Sequence, residues 1–306
     1  MVVLAGCTDN EPEHKVVPHE YKWGIYSLDL ATEEVELVYG SPDQISKLSL
    51  NNTGDTFAFA QQFDGDTNAH EEICTIRVDG SHFQRLTSNG FLDTYPAWSP
   101  DGSRLAYLSF PEQDLDIYIM QSDGTDIIKL YDSGSHDADI HWVGDSIAFT
   151  AFSRIWIIND DGTRPTQVTE PPRAGQWGNA NLPFGDYDPR ISPDGKKIVF
   201  ERLEADDSPH GNYNIFLINV DGSGEVRLTD SGYSQGFANW SRSGDMMVYI
   251  VAGISNEGKY DIYQMNSDGT NNRNITPDYF PDAFLCNTPV FSSDDQKVFF
   301  VGEWWE

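Results

Sequence analysis

The sequence predicts an all-β chain folded as a six-bladed β-propeller, with four antiparallel strands in each blade. Three observations predict it. A short run of branched and aromatic residues recurs six times, as Gly24-Ile25-Tyr26-Ser27-Leu28, Glu72-Ile73-Cys74-Thr75-Ile76, Asp116-Ile117-Tyr118-Ile119-Met120, Arg154-Ile155-Trp156-Ile157-Ile158, Asn214-Ile215-Phe216-Leu217-Ile218 and Asp261-Ile262-Tyr263-Gln264-Met265. A turn of the kind Ser99-Pro100-Asp101-Gly102 also recurs six times, the others beginning at Asn51, Val143, Ser192, Ser241 and Ser292. The chain opens on an outer hairpin with no inner one and ends on an inner hairpin, Pro289 to Trp304, with no outer one. Six of each, offset by half a blade, close into a ring whose last blade is built from both ends. That closure removes the open sheet edge.

Each element follows from local chemistry. The recurring runs read as strands because aromatic and branched side chains suit a pleated surface. Five of the six are followed by Asp-Gly (Gly80, Gly124, Gly162, Gly222, Gly269), the signal of a two-residue hairpin loop. In Ser-Pro-Asp-Gly, proline presets φ and glycine accepts positive φ. The Asp-Gly glycines are 44, 38, 60 and 47 residues apart, close to a blade period, and the excess in the longest step is loop.

The block Tyr95-Pro96-Ala97-Trp98-Ser99-Pro100-Asp101-Gly102, followed by Asp116-Ile117-Tyr118-Ile119-Met120 and Asp123-Gly124-Thr125, resembles the WD40-like (PD40) repeat of TolB-like six-bladed propellers. The resemblance covers residues 21–306. It implies the fold and says little of activity, because the family holds periplasmic TolB, propellers of prolyl-oligopeptidase-type enzymes and oligogalacturonate lyases. TolB carries an additional α/β domain before its propeller. The sequence leaves no room for one, so the expectation is a TolB-like protein distinct from TolB.

Residues 1–20 are expected to lie outside the ring, as the remnant of a lipoprotein signal followed by a tether. Leu4-Ala5-Gly6-Cys7 resembles the lipobox of bacterial lipoproteins, which makes Cys7 the expected lipidation site. The run before it is too short for a complete signal peptide, which places the expected true start further upstream. Residues 8–20 are polar, acidic and aperiodic, as a tether is. Elsewhere no stretch approaches the ~20 apolar residues of a membrane span, so the expected membrane contact is by lipid only. Cys74 and Cys286 fall on different radii of the ring, and no disulfide is expected between them.

The 306-residue chain carries a formal charge of −30, which argues against nucleic acid as a partner, since such binding is dominated by phosphate electrostatics. Solvated surface charge is the simplest account of this acidity. Oligomeric state has no signature in the sequence.

Ligand sites are expected on loops. The long, variable connections (170–188, 202–213, 61–71 and 276–288) share one face of the ring, opposite the stereotyped turns. Four constellations fall there. Asp93, Asp137 and Asp186 occupy equivalent positions in consecutive blades, where the other blades carry Ile45, Gln235 and Cys286. They are expected to converge at the channel mouth and to hold a divalent cation such as Ca2+, against the plainer reading that each caps its own loop. Asp64-Gly65-Asp66-Thr67-Asn68 alternates oxygen ligands, but Ala69 and Thr75 stand where a Ca2+ loop of the EF-hand type needs Gly and Glu. Arg173, Trp177, Asn179 and Asn181 suit sugar stacking or a protein contact, unless Trp177 folds back to plug the channel. Gly232-Tyr233-Ser234-Gln235-Gly236 matches G-x-S-x-G formally, but a propeller strand follows where a nucleophile elbow requires a helix.

The expected function is therefore non-catalytic binding of a protein or glycan through the variable face, by a lipid-anchored protein of the cell envelope facing the periplasm or exterior. An outer-membrane location is expected if the source is Gram-negative, given Thr8 after Cys7. The alternative is a metal-dependent, oligogalacturonate-lyase-like enzyme using His136 and His141, which flank Asp137 and Asp139.

Overall fold

The computed structural model describes residues 15–63, 70–205, 211–253 and 259–305. Cys7 with its lipobox, and the Asp64–Asn68 loop, lie outside the described residues. Among the described residues, twenty-four strands form six four-stranded antiparallel sheets. The ring is the one the sequence predicts. Blade 1 comprises Ile45–Leu50, Thr56–Gln62, Glu71–Arg77 and Gln84–Arg85. Blade 2 comprises Asp93–Trp98, Arg104–Ser109, Asp116–Gln121 and Ile128–Tyr131. Blade 3 comprises Asp137–Val143, Ser146–Ala151, Arg154–Asn159 and Thr166–Gln167. Blade 4 comprises Gly185–Ile191, Lys197–Ala205, Asn212–Asn219 and Val226–Arg227. Blade 5 comprises Ser234–Trp240, Met246–Ala252, Tyr260–Asn266 and Arg273–Asn274. Blade 6 joins the C-terminal pair Phe284–Phe291 and Lys297–Trp304 to the N-terminal pair Trp23–Asp29 and Val35–Ser41.

The second and third strands of a blade are covered on both faces by neighbouring blades. They therefore read as continuous apolar runs rather than as alternation, as in Thr56–Gln62 and Glu71–Arg77. The core is a set of apolar layers between blades. Val199, Ile215 and Leu217 of blade 4, for example, pack on Trp240, Met247 and Tyr249 of blade 5. Cys74 and Cys286 are buried free thiols. Val17 is buried in the layer around Tyr26, Phe284 and Phe300, and the Pro18 carbonyl accepts bonds from Tyr26 Oη (3.1 Å) and Trp304 Nε1 (3.3 Å). Among the described residues, packing against the ring thus includes Val17, ahead of the expected boundary at residue 21.

The turns work as their residues suggest. In blade 2 the Ser99 hydroxyl donates to Asp101 Oδ1 (2.7 Å) and accepts from the Arg104 N–H (2.9 Å). The Asp-Gly glycines have a second role. A Cβ on Gly162 would stand 2.7 Å from the Leu130 carbonyl oxygen of the preceding blade, so both its positive φ and its bareness are required. Outer strands of blades 1, 3, 4 and 5 pair over only two residues. The third-strand N–H nearby is then met by a threonine hydroxyl: Thr87 for Ile73 (2.9 Å), Thr169 for Ile155 (3.0 Å), Thr229 for Ile215 (2.8 Å) and Thr276 for Ile262 (2.7 Å).

One feature of the ring positions the site. Every inner strand carries a β-bulge, and the residue inside it has positive φ: Lys47 (57°), Tyr95 (53°), Asp139 (56°), Asp188 (50°), Phe237 (55°) and Thr288 (44°). A bulge bends the strand and re-aims a side chain. The side chains of Lys47, Tyr95, Asp139, Asp188 and Phe237 meet across the axis of the ring.

Candidate functional site

The bulge residues and their neighbours build a charged network in the channel. The Lys47 ammonium donates to Tyr95 Oη and lies 4.0 Å from the Tyr95 ring centroid and 5.3 Å from that of Phe237. The Asp188 N–H donates to Asp139 Oδ2 (3.2 Å), and Arg190 pairs with Asp188 at 2.8 Å. His141 Nδ1 accepts from the Ile191 N–H (3.0 Å), so the neutral ring keeps its proton on Nε2. Glu201 comes from a second strand rather than an inner one. Its Oε2 accepts from the Phe237 N–H (3.1 Å) and occupies the space that a side chain at Gly236 would need.

Burial dominates the electrostatics. It holds the Asp188 carboxyl above the usual carboxylate range, with Arg190 opposing and Asp139 adding. It pushes Glu201 well up, and the charges of Asp188 and Asp139 add to this. It lowers His141 to about 3, with the Arg190 charge in the same direction. The network thus sets a neutral histidine beside two carboxyls, Asp188 and Glu201, that burial turns against ionisation.

Above the network lies a cavity of about 490 Å³. Its walls include Trp98, Trp142 and Trp240 with Pro100 and Pro193, and its polar lining includes Lys47, His141, Arg190 and Arg242. It opens on the face of the Ser-Pro-Asp-Gly turns. Those turns are tied across the mouth: Arg242 Nη1 donates to Asn52 Oδ1 (2.6 Å), Asn52 Nδ2 to the Pro100 carbonyl (2.7 Å), and the Arg242 N–H to Asp295 Oδ1 (2.6 Å). The concavity is therefore on the face opposite the variable loops, where the sequence reading put the ligand.

The predicted acidic arc does not converge. Each of its members stays beside its own blade's second strand, opposite Ser109, Ala151 or Arg202. Asp93 accepts from Ser109 Oγ (2.5 Å) and Asn89 Nδ2 (2.7 Å). Asp186 is held by Arg202 through two bonds (2.5 and 3.0 Å), and Arg202 also reaches Glu225 (2.8 and 2.8 Å). Asp137 is fully buried, and its oxygens make no hydrogen bond of full geometry, with Ser133 the donor close to them. Burial pushes its carboxyl up to about 7. The carboxylates that do face the axis are those two residues on, Asp139 and Asp188, because the bulge redirects that position.

The two histidines are not brought together. His136 is exposed, accepts from the Leu115 N–H (3.0 Å) and stacks on Phe110 (5.7 Å between centroids), whereas His141 lines the channel. Among the described residues no histidine joins a group able to hold a metal, and the group that does form is Asp114, Asp116 and Asp132. In the loop after blade 3, Arg173 lies 3.3 Å over the Phe184 ring, and Asn179 and Asn181 are exposed. Trp177 is 70% exposed and does not plug the channel. Ser234 opens an inner strand, with no helix after it.

Sequence reasoning missed Lys47, Asp188, Arg190, Glu201 and Arg242, and named Asp139 only as a neighbour of the two histidines. For Lys47, Asp188 and Arg190 the signal was available at the aligned inner-strand position, counted two or four residues further on.

The fold and the channel define a six-bladed β-propeller with a cavity at one channel mouth. No family model matches the chain. An uncharacterized protein of Agrobacterium fabrum is 29% identical over 178 residues, covering 54% of this chain and 57% of that protein. A TolB homolog of Chlorobium luteolum is 27% identical over 170 residues, covering 54% of this chain and 35% of the homolog. The chain thus spans between a third and three fifths of these curated relatives. Among solved structures, the putative TolB of Agrobacterium tumefaciens superposes with a TM-score of 0.70 at 19% identity, over 93% of this chain and 99% of that one. That similarity is one of fold.

Proposed function

We propose that this chain is a non-catalytic propeller of the bacterial cell envelope that takes a segment of a partner protein into the cavity on its turn face. The observation that carries the reading is the cavity: about 490 Å³, walled by tryptophan and proline, with a rim arginine at Arg242 that forms no ion pair among the described residues. Such a concavity is of the size that takes a few side chains of an extended segment. An exposed cation on a chain of formal charge −30 favours a partner that presents a carboxylate there. Similarity to TolB homologs supports an envelope role, and the Cys7 lipobox supports a lipid tether. The divided histidines give a lyase reading no support.

The test is site-specific photo-crosslinking in the native host. A photoreactive residue at Asn52 or Ser241 should trap a discrete protein, and one at Trp177 should not. Crosslinks confined to the Trp177 position, or turnover of polyuronides by the purified chain, would overturn the reading. Membrane fractionation of a Cys7→Ser variant tests the tether, which predicts release into the soluble fraction.

A further inference from the structure

The boundary between blades 2 and 3 gathers three carboxylates, two of them bridged by one lysine. Asp114, Asp116 and Asp132 each offer an oxygen, all within 4.8 Å of one another. Lys129 Nζ bridges Asp116 Oδ2 (2.8 Å) and Asp132 Oδ2 (2.7 Å). Asp137 stands behind them. Its N–H donates to the carbonyl of Leu115 (2.8 Å), the residue between Asp114 and Asp116, and the charges of Asp116 and Asp132 both act on its carboxyl. Asp137 is 0% and Asp116 2% exposed; Asp116 Oδ1 has no hydrogen-bond partner, and the Asp137 oxygens make no hydrogen bond of full geometry, with the Ser133 N–H and hydroxyl as the donors close to them. The nearby Ser133 hydroxyl donates to the Ser135 carbonyl instead (3.0 Å).

Equivalent boundaries show what this one lacks. Between blades 1 and 2, Asp93 takes Ser109 and Asn89, and Glu72 takes Arg85 (2.9 Å). Between blades 3 and 4, Asp186 takes Arg202. Between blades 2 and 3, the residue paired with Asp137 is Ala151, which has nothing to donate. The three grouped carboxylates less the one ammonium leave a formal charge of −2, with the buried Asp116 Oδ1 unmet.

We propose that this boundary binds a hard divalent cation, of the Ca2+ class, through Asp114, Asp116 and Asp132, with Asp137 as the buried carboxylate behind them. Oxygen-only ligands at the edge of a rigid sheet suit Ca2+, which accepts irregular coordination by carboxylates and water. The Lys129 side chain is 38% exposed and leaves the site when the cation enters.

The test uses the chelator-stripped full chain and CaCl2 alone, with NaCl at matched ionic strength as the control. The expected result is a saturable rise in Tm of roughly 5 °C at a hundred times Kd. The rise should fall to the NaCl level in Asp114→Asn/Asp132→Asn and persist in Glu34→Gln/Glu36→Gln. Lys129→Met should lower the Kd for Ca2+ several-fold. Tb3+ titration of Lys129→Met gives a second readout: emission sensitised by the adjacent Tyr131 should appear and weaken in Tyr131→Phe. A Ca2+ response no larger than that to NaCl, or one unchanged in Asp114→Asn/Asp132→Asn, would overturn the proposal.

Discussion

The carboxylate of Glu201 fills the space beside Gly236, with Oε2 only 1.9 Å from where a Cβ on Gly236 would stand. A blade 4 side chain thereby enters the channel through a gap left by blade 5. Gly236→Ala should displace Glu201 and leave it buried without the Phe237 N–H, at a cost of about 1–3 kcal/mol. Adding Glu201→Ala should recover part of that loss. Denaturant melts of the two single variants and the double variant measure the coupling. Simple additivity would show that the contact does not matter.

His141 sets a pH dependence. An unfolded histidine titrates near 6.5, and in the folded chain burial lowers this one to about 3. Between those values the unfolded state carries the extra proton, so stability falls as pH drops through this window. Asp188 and Glu201, raised by burial, act with the opposite sign: their contribution is present at low pH and is lost as pH rises through their folded values. His141→Asn, whose amide oxygen can still accept from Ile191, removes only the first effect. The variant should gain stability relative to wild type by at most about 1.4 kcal/mol per pH unit between pH 6 and 4. A constant difference across that range would contradict the assignment.

Arg202 neutralises the buried Asp186 and reaches outward to the exposed Glu225. Arg202→Met leaves Asp186 buried and unpaired, so the expected loss is about 3–5 kcal/mol. Asp186→Asn/Arg202→Met should lose less than Arg202→Met alone. An exposed ion pair would move stability by well under 1 kcal/mol, and a result of that size would show that the pair is solvated.

The threonine that closes each short outer strand has a measurable role. Thr229→Val preserves shape but withdraws the acceptor from the Ile215 N–H. The expected cost is about 1–3 kcal/mol, the penalty of an unmet buried donor. Thermal melts check it, and a neutral outcome would mean that another acceptor takes over.

Trp177→Ala and Arg242→Ala separate the two faces of the ring. Trp177 is 70% exposed, so its loss should change stability by no more than about 0.5 kcal/mol. Once a partner is in hand, Arg242→Ala should weaken binding about tenfold or more, with Trp177→Ala near neutral. The reverse order would move the site to the variable loops.

The ring was legible because its signals are local and repeated. Asp-Gly and Ser-Pro-Asp-Gly turns leave a mark in residue type, and six copies offset by half a blade admit one closure. The site was less legible because it depends on six bulges whose residues carry no such mark. Lys47, Tyr95 and Phe237 are poor candidates for positive φ by residue type, yet that conformation turns them to the axis. The alignment of Asp93, Asp137 and Asp186 was correct as an alignment. What it could not convey is that the facing second-strand residues (Ser109, Ala151, Arg202) decide whether each carboxylate is satisfied. Glu201 was out of reach for another reason: it enters the channel from a neighbouring strand through a space made by an absent side chain.

The ring is closed, but it has a seam. Trp23 lies opposite Glu303, and the Trp304 N–H donates to the Lys22 carbonyl (2.8 Å), so the first and last strands of the propeller meet with their outgoing ends side by side. A load applied upstream of Trp23 and downstream of Trp304 therefore pulls across the hydrogen bonds of that pair and opens them singly, like a zip. A load applied upstream of Trp23 and carried by a partner seated at the channel mouth does not cross the seam in that way. A tethered propeller of this build resists tugging through its ligand far better than tugging through its own two ends.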